Sequence, residues 1–460
     1  MGTTMNTPLP TRRVWPWALG AALVAFAVFA PTVRFGFVNW DDPDLIFETP
    51  RVVTASPVEL FTQSGTAYLP VRDLVWNLTH RVAGPRPAAY HLLNVALHAA
   101  ATALFCLLVA RLLGGAPAVV AGVAALAFAV HPLHVEPVAW ASGMKDPLSA
   151  VLLFGSFVAA LGAEREQGRG RRLAVTVFAL VLFWLAALAK SSALVLPLLI
   201  ALYAVALAPD RKRTLKLLVP FVVTAVVLAI VAFVAGRASG AVKVRTDAAG
   251  TVALTSAGVF ADALRHLVLP VGLSPRYPAV RLASLADARA VTGLLAVVSY
   301  VVVWAWAMVR RHRRLAFAMG WVAVALAPYL GLVPTSTLWA DRYAYVAVGG
   351  LAIALGLAAG AALNTGYWTL ATGCSEPTES GAAACGSAGI GRWARRLCVV
   401  ALALVVVGYG VVSVRQSGVW QSSERLWRRA LAVAPNDALA HYLLGDAVWE
   451  RQPLAAAPHF

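Results

Sequence analysis

Apolar residues fall into successive blocks of bilayer-spanning length from Val14 to Val414, separated by short polar stretches. The blocks are Val14 to Val33, Tyr90 to Leu113, Pro117 to Val135, Leu148 to Ala163, Leu173 to Ala189, Ala193 to Ala208, Leu217 to Ala235, Ala290 to Val309, Leu315 to Val333, Tyr343 to Leu363 and Leu397 to Val414. Together they predict about eleven transmembrane helices, an all-α polytopic membrane protein. One further run, Thr251 to Leu269, carries Asp262, Arg265 and His266. It reads as an interfacial or re-entrant helix, because counting it as a crossing would invert every later loop.

Charge supports this path. With the N-terminus inside, Arg12, Arg13, Arg111, the Arg165 to Arg172 cluster, the Arg211 to Lys216 cluster, the Arg310 to Arg314 cluster, Arg392, Arg395 and Arg396 all fall on one side. Asp41, Asp42, Asp44, Glu48, Glu59, Asp73, Glu136, Asp146, Asp341, Glu424, Asp437, Asp446 and Glu450 fall on the other. Composition agrees: of 460 residues 60% are hydrophobic and 13% charged, and the mean hydropathy is +0.74. The net charge of +17 sits in short loops, which argues against nucleic acid as a partner. The run after Arg12-Arg13 lacks a small-residue cleavage site and is expected to stay as the first helix.

A membrane domain over 1–415 and a soluble tail over 416–460 follow. Outer segments run over about 34–89 and 237–289. In the first, Val71, Leu74, Val75, Leu78 and Val82 mark an amphipathic helix expected to lie on the membrane. The inside loop over about 364–396 is rich in Gly, Ala, Ser and Thr and reads as a flexible insertion. Its Cys374 and Cys385 are expected to stay reduced. In the tail, Glu424 to Ala434 reads as a helix, Pro435-Asn436-Asp437 as a stop and a new cap, and the residues from Ala438 as a second helix resembling the start of a tetratricopeptide repeat. One repeat cannot bury its own apolar face, so the tail is expected to pack on the membrane domain or a partner.

The candidate chemistry lies on the outer side. Asp41 and Asp42 follow Trp40 just beyond the first span. Carboxylates there suit a base for a hydroxyl proton or a group that positions an acceptor or metal, and equally a polar cap with Asp42-Pro43 as a turn. His131, His134 and Glu136 close the third span, and Lys145 and Asp146 open the fourth. Cations and imidazoles in one loop suit a departing phosphate, and also plain interfacial anchoring. Lys190 lies between two apolar runs with almost no loop, where an ammonium must snorkel or find an anion. Asp341 and Arg342 sit between Trp339 and Tyr343, a fork and aromatics suited to phosphate and sugar.

Phe37-Val38-Asn39-Trp40-Asp41-Asp42, Tyr68-Leu69-Pro70-Val71-Arg72, Tyr90-His91-Leu92-Leu93-Asn94, His131 to Asp146, Ala189-Lys190-Ser191, Ala340 to Tyr345 and the repeat-like tail occur in this order along nearly the whole chain. In these segments the chain resembles the transmembrane and tetratricopeptide-repeat O-mannosyltransferases and their bacterial relatives, of the GT-C class. The stretch HPLHVEPVAWASGMKD is the most specific part. The resemblance implies a GT-C-like fold and a polyprenyl- or dolichyl-phosphate sugar as donor. It also implies a hydroxyl acceptor on a protein or glycan, Asp41 or Asp42 as the catalytic carboxylate, and Lys145, Lys190 and Arg342 near the donor phosphate. His131, His134 and Glu136 would shape the site. The chain departs from the family in its short tail and in Met144, where a polar residue is common.

The expectation is therefore an inverting membrane glycosyltransferase, with mannose the favoured sugar, acting on the extracytoplasmic face of a bacterial inner membrane. Membrane lipid and the lipid-linked sugar are the expected partners. No cofactor is required by the residues, and a divalent metal remains an open possibility. Two other classes share the architecture. A transporter should carry its ionisable groups near mid-membrane in related halves, whereas these cluster at span ends. A non-catalytic scaffold would work through the tail, which offers little surface.

Overall fold

The computed structural model describes residues 11–62, 68–238, 240, 247–331, 337–363 and 392–449. Among them every regular element is helical. The principal helices are α1 (Thr11–Phe29), α2 (Pro70–Ala83), α3 (Pro87–Leu112), α4 (Ala118–Ala129), α5 (Lys145–Arg165), α6 (Arg169–Ala189), α7 (Leu196–Ala206), α8 (Arg211–Ala238), α9 (Ala249–Val268), α10 (Ala288–Val309), α11 (Arg313–Leu326), α12 (Val348–Ala362), α13 (Arg392–Ser417), α14 (Ser423–Val433) and α15 (Ala438–Trp449). Positions 364–391, with Cys374 and Cys385, lie outside the described residues, as does Glu450.

Among the described residues seven helices are long and apolar enough to cross a membrane, or up to eight if α4 and the turn Pro132–Ala139, which meet at 53°, form one bent span. The expected count of about eleven is therefore not reached by length alone. The other three blocks form α7, α11 and α12, of 11, 14 and 15 residues. Each is shortened because its polar or proline-bearing end winds into a 3₁₀ turn: Ser191–Val195, Ala327–Tyr329 and Asp341–Ala344. The Thr251 to Leu269 run forms α9, twenty residues long but outside the set apolar enough to cross. Its Asp262 pairs with Arg289 at 2.9 Å.

Burial separates centre from periphery. The span Ala141–Arg165 is 72% buried over its apolar window, whereas Arg211–Ala238, Ala288–Val309 and Trp393–Gln421 are each 11% buried. The last three expose valines and leucines that only lipid or a neighbour would cover. The helices of the core approach closely through small residues: a Cβ at Gly350 would meet Ala318 O at 2.5 Å, and one at Gly356 would meet Val120 O at 2.4 Å.

The amphipathic helix forms as α2, but its buried face is not the apolar stripe. Val71 is buried with Arg72, Asp73, Trp76 and Asn77, while Leu78 and Val82 are exposed. Asp73 decides this orientation by drawing in Arg51 at 2.5 Å and Arg72 at 2.6 Å.

Charge divides the bundle into two ends. Along α3, Asn94 and Arg111 are separated by about 25 Å, and along α5, Lys145 and Arg165 by about 30 Å. Around one end Arg165 donates to Arg111 O at 3.0 Å, and Arg213 donates to Glu166 O. The opposite end gathers the acidic loop, the bent turn and the tail.

Candidate active site

The bent turn builds the floor of this end. Pro132 and Pro137 remove two backbone donors, so the helix cannot run straight through. Asn94 of α3 holds the returning chain by donating to Trp140 O at 2.7 Å and Ala141 O at 3.3 Å. Gly143 permits the fold-back, since a Cβ there would meet Pro137 O at 2.5 Å and Pro137 C at 2.8 Å.

Onto this floor comes the acidic loop. Asp42 is 1% exposed, and its carboxylate accepts from Val38 N at 2.9 Å, Ser142 N at 3.0 Å and Ser142 Oγ at 2.6 Å. Burial raises its pKa to about 6, although these hydrogen bonds pull the other way. Asp42 thus ties the loop to the floor. Asp41 is half-buried, and among the described residues its carboxylate has no hydrogen bond or ion pair. The adjacent Trp40 stacks on Trp140, with ring centroids 5.0 Å apart.

Arg342 arrives from the turn Asp341–Ala344. Its backbone N–H donates to Glu136 Oε2 at 2.9 Å, and its guanidinium pairs with Glu136 Oε1. The guanidinium lies 5.5 Å from the centroid of Trp140, 5.9 Å from Trp40 and 5.3 Å from Tyr343. Lys190 pairs with Asp146 and stands 5.4 Å over Tyr329. Lys145 sits 5.6 Å over Trp140 and has no carboxylate within ion-pair distance among the described residues. Arg342, Arg72 and Lys190 are its cationic neighbours.

Asp146, Lys190 and Arg342 line a narrow cleft together with Tyr329, Tyr343, Tyr345 and Ser192. A second is lined by Leu188, Ser191, Leu194, Leu228 and Val231. Lys190 of the first and Ser191 of the second are adjacent in the chain.

The other expected site residues occupy supporting positions. His131 accepts from Leu133 N at 3.2 Å on Nδ1, which leaves Nε2–H to donate to Leu267 O at 2.9 Å. His134 faces Phe128 O at 2.8 Å and Tyr345 O at 3.1 Å. Both rings are buried and join the bent turn to α9 and to the Asp341–Ala344 turn. Asp341 accepts from Tyr277 OH at 2.7 Å. Burial and the charge of Glu136 hold its carboxyl well above the usual carboxylate range. Among the described residues no three His, Cys, Asp or Glu side chains converge to hold a metal ion.

Sequence reasoning did not single out Ser142, Asn94 or Tyr329. Ser142 and Asn94 lie inside the segments that carry the family resemblance, whereas Tyr329 has no local signal, being one aromatic at the end of an apolar block.

No family model matches the chain. Among curated proteins it is 28% identical to the protein O-mannosyl-transferase TMTC3 of Homo sapiens over 175 residues, 35% of this chain and 18% of that protein. It is 44% identical to the protein O-mannosyl-transferase TMTC2 of Mus musculus over 98 residues, 21% of this chain and 11% of the relative. To the protein O-mannosyl-transferase Tmtc1 of Drosophila melanogaster it is 30% identical over 195 residues, 40% of this chain and 22% of the relative. Its homologues are protein O-mannosyl-transferases. The aligned parts span less than a quarter of the length of these three relatives. Among solved structures, an archaeal oligosaccharyltransferase from Archaeoglobus fulgidus, in complex with an inhibitory peptide and a dolichol-phosphate, aligns with TM-score 0.47 and 14% identity, over 87% of this chain and 56% of that one.

Proposed function

We propose that the chain is a GT-C-like membrane glycosyltransferase. It moves a sugar, with mannose favoured, from a polyprenyl-phosphate carrier to a hydroxyl acceptor such as a protein Ser or Thr. The reaction takes place on the extracytoplasmic face of a bacterial inner membrane. The homology to protein O-mannosyl-transferases supports the reaction class. The observation that carries the reading for this site is a division of labour. Among the described residues, Asp41 is a carboxylate without a side-chain partner beside a tethered Asp42, and Lys145 has no carboxylate within ion-pair distance beside the paired Arg342 and Lys190.

In this reading Asp41 accepts the proton of the acceptor hydroxyl as its oxygen bonds to the anomeric carbon. The bond from that carbon to the phosphate oxygen breaks, and its electron pair leaves on the phosphate, stabilised by Lys145 with Lys190 and Arg342. Attack opposite the leaving group inverts the anomeric centre. The cleft lined by Leu188, Leu194, Leu228 and Val231 suits the isoprenoid chain, and Ser191, which lines it, directly follows Lys190 of the polar cleft. Asp42 fixes the loop, and His131, His134 and Glu136 hold the floor and Arg342.

The test is transfer of labelled mannose from polyprenyl-phosphate mannose by the purified full chain, comparing wild type, Asp41→Asn and Asp42→Asn. Loss of transfer in Asp41→Asn, with folding and donor binding retained, is expected. Unchanged transfer in that variant overturns the assigned role, and no transfer by the wild type from any lipid-linked sugar overturns the enzyme reading.

A further inference from the structure

The acidic loop is held from two directions, and one of them is the C-terminal helical pair. Asn39 spends its polar atoms on that pair. Its backbone N–H donates to Ser423 Oγ at 2.9 Å, and its Oδ1 accepts from Trp427 Nε1 at 2.7 Å. Its Nδ2 donates to Leu443 O at 3.0 Å and to Asp446 Oδ2 at 2.8 Å. Asparagine suits this place because one short side chain supplies an acceptor and two donors. The partners come from both α14 and α15, so Asn39 reads the pair as a unit.

Trp40, the next residue, extends the contact. Besides Trp140 it meets Trp420 at 6.2 Å and Trp427 at 5.5 Å between ring centroids. Trp140 and Trp420 also stack, at 5.5 Å. The indole of Trp40 therefore bridges the tail and the floor on which Arg342 and Lys145 rest. The tail has a second, separate attachment: Arg276 pairs with Asp437 at 2.7 Å, and Arg429 Nε donates to Leu273 O at 2.8 Å.

Asp41 lies between Trp40 and Asp42. It makes no side-chain bond of its own among the described residues, so the direction of its carboxylate is set by its neighbours: Asp42, tied to Ser142, on one side, and Asn39 and Trp40, tied to the tail, on the other.

We propose that Asn39, clamped by Trp427, Leu443 and Asp446 of the C-terminal helical pair, is a positioning residue for the Asp41 carboxylate. On this account the C-terminal helical pair completes the active site and is not an appendage to it. The inference rests on the glycosyltransferase reading above, because it needs a reaction for Asp41 to serve. A displacement of about 1 Å in a reacting group lowers rate steeply while leaving distant binding contacts intact.

The experiment measures sugar transfer from labelled polyprenyl-phosphate mannose by the full chain, with three variants beside wild type. Trp427→Phe removes one donor and keeps an aromatic ring, though a smaller one than the indole. Asn39→Asp removes both Nδ2 donations and sets a carboxylate against Asp446. Asn39→Asp combined with Asp446→Asn restores a donor across the same gap. The first two variants are expected to lose kcat by about tenfold or more, with the KM for the donor within about twofold and the tail still protected from trypsin at Arg425 and Arg428 by its second attachment. The combined variant is expected to recover several-fold over Asn39→Asp alone.

Wild-type kcat in both Trp427→Phe and Asn39→Asp, in a chain that does transfer sugar, overturns the positioning role while leaving the proposed function standing. Loss of kcat in step with loss of tail protection, without recovery in the combined variant, also overturns it, since Asn39 would then serve only to dock the tail. No transfer by the wild type overturns the proposed function and this inference with it.

Discussion

At the scale of single residues, the adjacent acids differ in what surrounds them, and their substitutions should separate. Asp41→Asn removes the proposed base and should lower kcat by on the order of 10² or more without loss of folding, read by transfer rate and thermal unfolding. Burial raises the folded pKa of Asp42 to about 6, above that of an ordinary carboxylate. Its stabilising contribution is therefore fully present below the unfolded value and is lost as pH rises through about 6. Between pH 5 and 7 this should make the wild type about 1 kcal/mol less stable at the higher pH, a slope that Asp42→Asn should erase in thermal unfolding. An equal slope in that variant would assign it to another group. The acidic pair was legible in sequence as a motif, but which member is tied was not. Besides the local bond from Val38, Asp42 owes two of its three hydrogen bonds to Ser142, which lies 100 residues further on.

At the scale of elements, the bent turn depends on backbone contact more than on side chains. Gly143→Ala places a methyl group against Pro137 O, and backbone cannot yield as a side-chain tip can. We expect that variant to lower the thermal midpoint by several degrees and to abolish transfer, whereas Gly84→Ala, whose added Cβ would meet nothing within 4 Å, should show only the cost of its positive φ of 63°. The start of the second tail helix was legible because Asp437 caps it, its Oδ1 accepting from Ala440 N at 3.1 Å, whereas the cap of the first, Ser422 Oγ accepting from Arg425 N at 3.4 Å, was not singled out. The shortening of α7, α11 and α12 was not legible. Hydropathy records whether residues are apolar over a window, and it does not register that Lys190 and Arg342 find buried anions which let a helix stop early. For α2 the periodicity located the helix and the stripe that lipid would cover, Leu78 and Val82 being exposed, but not the polar face on which Asp73 pairs with Arg51 and Arg72.

At the scale of the whole molecule, the separation of basic and acidic ends is a prediction of orientation. In cells, a cysteine introduced as Asp44→Cys should react with a membrane-impermeant maleimide added outside, and one introduced as Lys212→Cys should react only after permeabilisation. The reverse pattern would place the candidate site in the cytoplasm. Lys145, left without a carboxylate, has a consequence for turnover. On the proposed function, a sugar joined to its carrier through a phosphodiester would bring one negative charge to the site, whereas the carrier left behind would be a phosphate monoester with about 1.5 to 2 negative charges near neutral pH. When protonated, the Lys145 side chain attracts the second more strongly than the first. Escape of the emptied carrier should then limit the cycle, free polyprenyl phosphate should compete with the loaded donor, and Lys145→Gln should weaken that competition more than it weakens binding of the donor itself.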